Sequence, residues 1–217
     1  MARILKGILG GFKGLVGTVI GSSHRDQEVM RSRPKKSSKP PVQSQVDQRL
    51  KFGLMTDFLG NFSALIKKAF KPANPRESPM NSAVSYNLFN AIEGTSPDFS
   101  IDYSMITISN GELYNANNIV VTPAADAEVK IDWAPITASD ENKEIMDQDK
   151  VMLVFYSTGQ KRYMVFTANA LRGAGTVTVE LARSFAASPM HGYLFFLSPN
   201  GKDSSRTDYL GIIQLIL

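Results

Sequence analysis

The sequence predicts a mainly β protein: an antiparallel β-sandwich preceded by a β-hairpin and a helical segment. Three observations predict this fold. Short apolar runs bounded by turn residues fill the chain from residue 98 onward, a four-residue apolar repeat precedes them, and the first 43 residues combine glycines, strand-forming residues and basic residues. Short strands without long helices between them are typical of antiparallel sandwiches. We therefore expect a basic hairpin and linker at 1–43, a helical segment at 44–97 and a sandwich domain at 98–217.

Composition excludes several kinds of chemistry. The 217 residues are 43% hydrophobic and 20% charged, which suffices for one compact core with or without a smaller appendage. The chain has no cysteine, so disulfides, thiolate metal ligands and a cysteine nucleophile are excluded. Two histidines are too few for a multi-histidine metal site, although a carboxylate site stays open. We expect no cofactor.

The first 21 residues fit two structures. Their apolar residues recur at helical spacing, but glycines at 7, 10, 11, 14 and 17 interrupt them, and each glycine costs a helix about 1 kcal/mol. The alternative is a hairpin of strands 15–22 and 27–33 around a turn at 23–26, which Val16, Thr18 and Ile20 favour. The same glycines and Lys13 interrupt any cleavable export signal. We therefore expect a cytoplasmic protein or one incorporated into a particle, without a membrane span.

Charge is divided unevenly along the chain. Residues 1–72 hold fourteen Lys/Arg and four Asp/Glu, net +10, whereas the remainder is net −6. A proline-containing stretch concentrates this charge and predicts an extended arm. The candidate contacts for a protein partner or nucleic acid are Arg31, Arg33, Lys35, Lys36, Lys39 and Arg49. The arm either lies along phosphates, with salt-dependent affinity, or is a solvated connector. No aromatic residue interrupts the basic run to stack on bases.

Apolar residues recur every four positions after the arm and predict an amphipathic helix. They are Val46, Leu50, Leu54, Phe58, Phe62 and Ile66. Ser44 and Asp47 resemble a capping box at its start, and Gly60 with Asn61 predicts a bend or a break. A second helix is expected at 81–93. The apolar stripe packs either on the rest of the chain or on a neighbouring copy.

Eight β-like runs follow in the C-terminal half. They are residues 104–109, 118–122, 127–133, 150–157, 161–167, 176–182, 193–197 and 209–217. Val129, Ile131 and Trp133 alternate with charged residues, as in a strand with one buried face. Trp133 is therefore expected to be a core residue.

The search for catalytic or metal motifs finds none with the required spacing. The acidic stretch Asp140, Glu141, Glu144, Asp147 and Asp149 lacks the pattern of a calcium loop and predicts a solvated loop. The glycine-rich residues 10–14 lack the Gly-Lys-Ser/Thr ending of a phosphate loop. His191 has no adjacent serine or carboxylate and is expected to be an ordinary loop residue. We expect no enzymatic activity.

Two resemblances follow from these patterns. A Trp-bearing strand, the strands at 151–157 and 192–196, and a Pro-Asn-Gly-Lys hairpin at 199–202 are similar in order to an immunoglobulin-like or fibronectin type III-like sandwich. Separately, residues 14–22 (GLVGTVIGS), 29–34 (VMRSRP) and 48–52 (QRLKF) resemble the N-terminus of an uncharacterised domain-of-unknown-function family common in Bacteroidota. This family has no established activity, so the resemblance implies no catalytic residue.

The patterns lead to two functional hypotheses. The first is a structural or adhesive protein whose basic segment joins the sandwich to copies of itself, or to a larger fibre or phage-like particle. The apolar run at residues 212–217 supports association through unpaired strands. The second is a nucleic-acid-binding protein that uses the basic arm.

Overall fold

The chain folds into two compact units, Met1–Gln45 and Val46–Leu217. The computed structural model describes residues 3–4, 10–24, 27–35, 38–135 and 146–216, without the side chains of residues 3, 4, 24, 168 and 169. Each unit is considered by itself.

The N-terminal unit is a four-stranded antiparallel sheet whose strands follow one another in chain order. The strands are β1 (Arg3–Ile4), β2 (Phe12–Val16), β3 (Val19–His24) and β4 (Gln27–Ser32). The hairpin interpretation is therefore correct over the described residues, and the helical alternative is wrong there. The predicted single strand at 15–22 is also wrong, because Gly17, with a φ of +56°, and Thr18 form a tight turn within it. Of the predicted turn at 23–26, residues 25 and 26 lie outside the described residues.

Three helices follow: α1 (Gln43–Gly60), α2 (Ser63–Ala69) and α3 (Pro79–Asn90). The break expected at Gly60 and Asn61 is confirmed, and the Asn61 side chain donates to the carbonyl oxygen of Phe58 at 3.1 Å. The capping box is wrong, because α1 begins at Gln43 and Ser44 lies inside its first turn. The second helix begins two residues earlier than expected, where Ser78 accepts a hydrogen bond from the Asn81 backbone at 3.2 Å.

The sandwich consists of two antiparallel sheets. The first has the order β10-β9-β12-β13 and the second the order β11-β8-β7, and a separate β5-β6 hairpin follows α3. The bounds are β5 (Ile92–Thr95), β6 (Asp98–Ile101), β7 (Asn117–Pro123), β8 (Glu128–Ala134), β9 (Lys150–Ser157), β10 (Arg162–Leu171), β11 (Thr176–Glu180), β12 (Met190–Leu197) and β13 (Asp208–Ile213). The predicted fold class, an antiparallel sandwich preceded by a hairpin and helices, is confirmed.

The predicted strand at 104–109 is wrong. A short 3₁₀ turn at Tyr103–Met105 occupies its start, and side chains rather than a neighbouring strand bind the backbone after it. The Thr107 amide donates to Asn87 Oδ1 at 2.8 Å, and the amides of Ile108 and Ser109 donate to Thr207 Oγ1 at 3.0 and 2.8 Å. Because these partners satisfy the buried amides, no strand ladder is needed.

The four-stranded sheet is covered on both faces at its central strand β9. Alternate residues of a strand point to opposite sides, and in β9 both sets are buried. Val151, Leu153 and Phe155 pack in one core with β8 and β11, whereas Met152, Val154 and Tyr156 pack in the other with the three helices. The apolar stripe of α1 therefore packs on its own chain from Met55 onward, while Leu50 is 43% exposed.

Candidate interaction surface

The sheet of the N-terminal unit positions one of the predicted basic contacts, Arg31, on its outer strand β4. Val29 and Arg31 occupy one face of β4, opposite Ser22 and Ile20 of β3, and Ile20 is in turn opposite Leu15 of β2. Arg31 is exposed, and Val29 and Leu15 are 46% and 40% exposed. This surface, defined by Leu15, Ile20, Val29 and Arg31, is called the cationic face below. It combines positive charge with accessible apolar side chains.

An acidic side chain, Glu28, lies on the opposite face of the same sheet. Glu28 lies one position from Val29 along β4, so it occupies the other face, where its carboxylate lies against Gly11. A side chain at position 11 would collide with that carboxylate, and one at Gly21 would collide with the ring of Phe12. The glycines thus allow close packing on this side. Among the described residues of the unit, no carboxylate shares the cationic face.

The basic arm continues from this face in an extended form. The Arg33 amide donates to the Thr18 carbonyl oxygen at 2.7 Å, which fixes the chain as it leaves β4. Arg33, Lys35 and Lys39 are exposed, and Lys36 lies outside the described residues. Arg49 is exposed on α1 and belongs to the other unit. Of the six predicted contacts, Arg31 lies in the sheet and Arg33 directly follows it. Partner binding by all six stays a prediction.

The second unit buries an ion pair that the sequence analysis missed. Arg172 and Asp149 are each 2% exposed, and Arg172 Nη1 lies 3.6 Å from Asp149 Oδ2. The guanidinium lies 3.9 Å from the ring centre of Phe196 and donates to the Tyr114 carbonyl oxygen, while Trp133 Nε1 donates to the Arg172 carbonyl oxygen at 2.8 Å. Trp133, which is 4% exposed, is confirmed as a core residue.

Burial changes the titration of this pair. It raises the pKa of Asp149, an effect that the neighbouring Arg172 partly opposes, and it lowers the pKa of Arg172. The expected solvated acidic loop is therefore wrong at Asp149, while Asp140, Glu141 and Glu144 lie outside the described residues. No local signal distinguished Asp149 from its acidic neighbours, because its partner lies 23 positions away.

His191 lies in β12, so its assignment to a loop is wrong. Its Nδ1 atom lies 2.7 Å from the Tyr209 hydroxyl oxygen, and its ring stacks on Tyr103 at a centroid distance of 4.6 Å. Burial lowers the pKa of His191, which Asp102 partly opposes, and raises the pKa of Tyr103 to about 12. The imidazole and the phenol are therefore uncharged near neutral pH. This cluster is a group of half-buried rings that stack on one another and are linked by a hydrogen bond.

We expect His191 to make the protein less stable at acidic pH. Its folded-state pKa lies below its unfolded value, so the unfolded chain binds the proton more readily, and stability falls as the pH drops through about 6.5 and below. Urea unfolding of the wild type and the His191→Gln variant from pH 8 to about 5 measures this. The variant should lose less stability over the range. Parallel pH profiles for the two proteins would contradict the prediction.

In the described ranges, no three histidine or carboxylate side chains come together in a way that could hold a metal ion. None of the described helices is long and apolar enough to cross a membrane.

The fold and this surface define a mainly β protein: an antiparallel sandwich with a helical layer in one unit, and a small cationic sheet in the other. Residues 11–211 match the model of a family described as "Family of unknown function (DUF6266)", and the chain belongs to that family. The expected membership of an uncharacterised family is confirmed.

Two solved structures of fibronectin type III domains are similar to part of the chain. The fn3 domain of human collagen alpha-1(XX) chain shares 12% identity, with 46% of this chain and 83% of that chain covered and a TM-score of 0.33. For the fn3 domain of human contactin 1, the identity is 6%, the coverage 50% and 84%, and the TM-score 0.28. No curated protein matches the sequence.

Proposed function

We propose that this protein is a non-enzymatic structural or adhesive protein whose N-terminal unit joins the sandwich to copies of itself or to a larger particle, such as a fibre or a phage-like assembly. The observation that carries the proposal is the cationic face, which continues into the exposed residues Arg33 and Lys35. Residues 1–45 hold nine Lys/Arg and two Asp/Glu, net +7, whereas residues 46–217 hold fifteen and eighteen, net −3. Opposite charges on the two units favour head-to-tail association between copies.

The interior of the sandwich unit supports a non-catalytic role. Two polar clusters make their contacts within the fold: buried Arg172 contacts Asp149 and Phe196, and half-buried His191 contacts Tyr103 and Tyr209. Burial lowers the pKa of His191 and raises the pKa of Tyr103 to about 12, which favours uncharged rings near neutral pH, and the neighbouring Arg172 partly opposes the effect of burial on the pKa of Asp149. These clusters therefore stabilise the fold in our proposal.

The test is self-association measured by light scattering after size exclusion across a salt series. We expect the mass at low salt to exceed that of the monomer, and to fall as salt screens the charges. A variant with Arg31, Arg33, Lys35 and Lys36 changed to glutamine should stay monomeric at every salt concentration. A matched control changes Lys67, Arg76, Lys161 and Lys202, all exposed in the sandwich unit, to glutamine. Equal association by the two variants, or a monomeric wild type at high concentration without any recovered particle, would contradict the proposal.

A second candidate is nucleic-acid binding by the same surface. It is favoured by the placement of Arg31 on an exposed strand face without a described acid, because a β-ribbon can enter the major groove. Fluorescence anisotropy with a duplex DNA at about 50 mM salt, where electrostatic affinity is high, tests it. Loss of DNA binding with unchanged association in the four-residue variant would favour this candidate over assembly. Absence of binding at low salt would exclude it.

A further inference from the structure

A groove opens between the helical layer and the four-stranded sheet of the sandwich unit. Its volume is about 650 Å³, which lies within the range of about 300–1,000 Å³ that is usual for small-molecule sites. The floor is formed by Met152 of β9, Val165 of β10 and Phe195 of β12, and the wall by Phe62 and by Leu65 of α2. The groove lies within the second unit and is separate from the cationic face.

The groove exists because the helices do not cover the edge strand. Tyr163 and Val165 of β10 are directly opposite Tyr156 and Val154 of β9, on the same face of the sheet. The β9 residues are 7% and 0% exposed beneath the helices, whereas Tyr163 and Val165 are 41% and 40% exposed. Phe62 packs edge-on against the ring of Tyr163, with the two centroids 5.0 Å apart. An apolar part of the sheet face therefore remains accessible next to a packed helix.

The charge of the groove is of one sign. Among the residues that the structure describes, its lining contains two ammonium groups, Lys68 of α2 and Lys150 of β9, and no carboxylate. This contrasts with the net charge of −3 of residues 46–217. The backbone oxygen of Pro199 accepts a hydrogen bond from Lys150 Nζ at 3.3 Å, which holds this ammonium group beside the turn that closes one end. The remaining polar groups are neutral, as in Asn61 and Thr167.

We propose that this groove binds a small anionic amphiphile, a molecule with an apolar body and one acidic group. The body lies on Tyr163 and Val165, which are 41% and 40% exposed, where it removes apolar surface from water. The acidic group meets Lys68 and Lys150 at the rim and forms charge-assisted hydrogen bonds with them. A cationic ligand would face two like charges without a counter-charge in the described part of the lining, and a neutral ligand would form no charge-assisted hydrogen bond with either ammonium group. The binding site is a property of the sandwich unit and goes beyond the assembly proposed above.

Three probes with the same alkyl chain test the proposal by isothermal titration calorimetry on the full chain. Decanoate, decanol and decyltrimethylammonium differ only in the charge of the head group. We expect decanoate to bind at least about tenfold more tightly than decanol, because hydrogen bonds to charged groups are the stronger kind. Decyltrimethylammonium should bind most weakly.

Two double variants distinguish a specific contribution of Lys68 and Lys150 to ligand affinity from an effect of the overall charge of the protein. Lys68→Gln with Lys150→Gln should reduce the affinity for decanoate to that for decanol. Lys67→Gln with Lys202→Gln changes the net charge equally at exposed positions outside the groove and should leave affinity unchanged. Circular dichroism and thermal unfolding serve as the check that every variant folds. Val165→Asp is a second test of the binding site, because a carboxylate on the floor of the groove should abolish decanoate binding.

Three results would overturn the proposal. They are the absence of decanoate binding, equal affinity for decanoate and decanol, and unchanged affinity in the Lys68 and Lys150 double variant. A change of mass in light scattering caused by Val165→Asp, without decanoate binding to the wild type, would identify a protein segment as the occupant instead. Because the cationic face is unchanged in these variants, failure here is distinguishable from failure of the assembly proposal.

Discussion

Replacing Arg172 with methionine is expected to lower the free energy of unfolding by about 3–5 kcal/mol, because removal of one partner leaves a buried charge uncompensated. Asp149 would remain 2% exposed without its cation. The variant would also lose the guanidinium contact with Phe196 and the hydrogen bond to the Tyr114 carbonyl oxygen. Urea unfolding followed by the fluorescence of Trp133, the only tryptophan, measures the loss.

The pH dependence of this loss identifies its cause. Burial already raises the pKa of Asp149, and removal of Arg172 raises it further. A carboxyl with a raised folded-state pKa is unpenalised at low pH and destabilises the fold as the pH rises through that pKa. The deficit of Arg172→Met should therefore be largest at neutral pH and shrink in acid, and Asp149→Asn in the same chain should recover part of it.

The control for this prediction is Arg183→Met. Arg183 pairs with Asp126 at 3.2 Å, but the two side chains are 71% and 79% exposed. Water and salt screen such a pair, so its loss should fall within experimental error. Equal free energies of unfolding for Arg172→Met and Arg183→Met would contradict the prediction that loss of the buried pair costs more than loss of the exposed one.

The second large effect concerns the two faces of the central sheet. Phe155 and Phe195 are both 0% exposed, but Phe155 belongs to the core shared by the two sheets and Phe195 to the core shared with the helices. Truncation of either to alanine leaves a cavity and should cost about 3–5 kcal/mol. Trp133 fluorescence reports on the sandwich core, and far-ultraviolet circular dichroism reports on the helices.

In both phenylalanine variants the two signals should change at the same, lower urea concentration, because β9 and β12 contribute to both cores. Phe89→Ala is the control, since Phe89 is 90% exposed on α3 and its removal leaves no cavity. Two separate transitions in Phe195→Ala would show that the helical layer unfolds independently of the sandwich.

The local sequence pattern was sufficient to predict most of the strands and helices. The alternation of Val129, Ile131 and Trp133 with charged residues predicted β8, since side chains two apart in a strand share a face. The four-residue repeat likewise predicted α1 and α2 and the break between them. Both patterns depend only on backbone geometry within a few residues, so they can be recognised without knowledge of the packing.

Errors arose where distant residues decide the outcome. The amides of Ile108 and Ser109 bond to Thr207, nearly a hundred positions later, so residues 104–109 form no strand despite their composition. Asp149 looked like part of a solvated acidic run but is paired with Arg172. In the N-terminal unit, Gly17 lies within the predicted strand at 15–22, whereas the pairing of Val16 with Val19 makes it a turn.

By itself, the sequence determined the class of fold, the order of its elements and the concentration of positive charge before residue 45, because hydrophobic period and net charge are properties of the chain alone. Tertiary structure alone decided that β9 is buried on both faces, that Arg31 is on the face opposite Glu28, and that Lys68 and Lys150 flank one groove. These relations depend on strand register and on the packing of helices against the sheet, and they bring together residues that are far apart in the sequence.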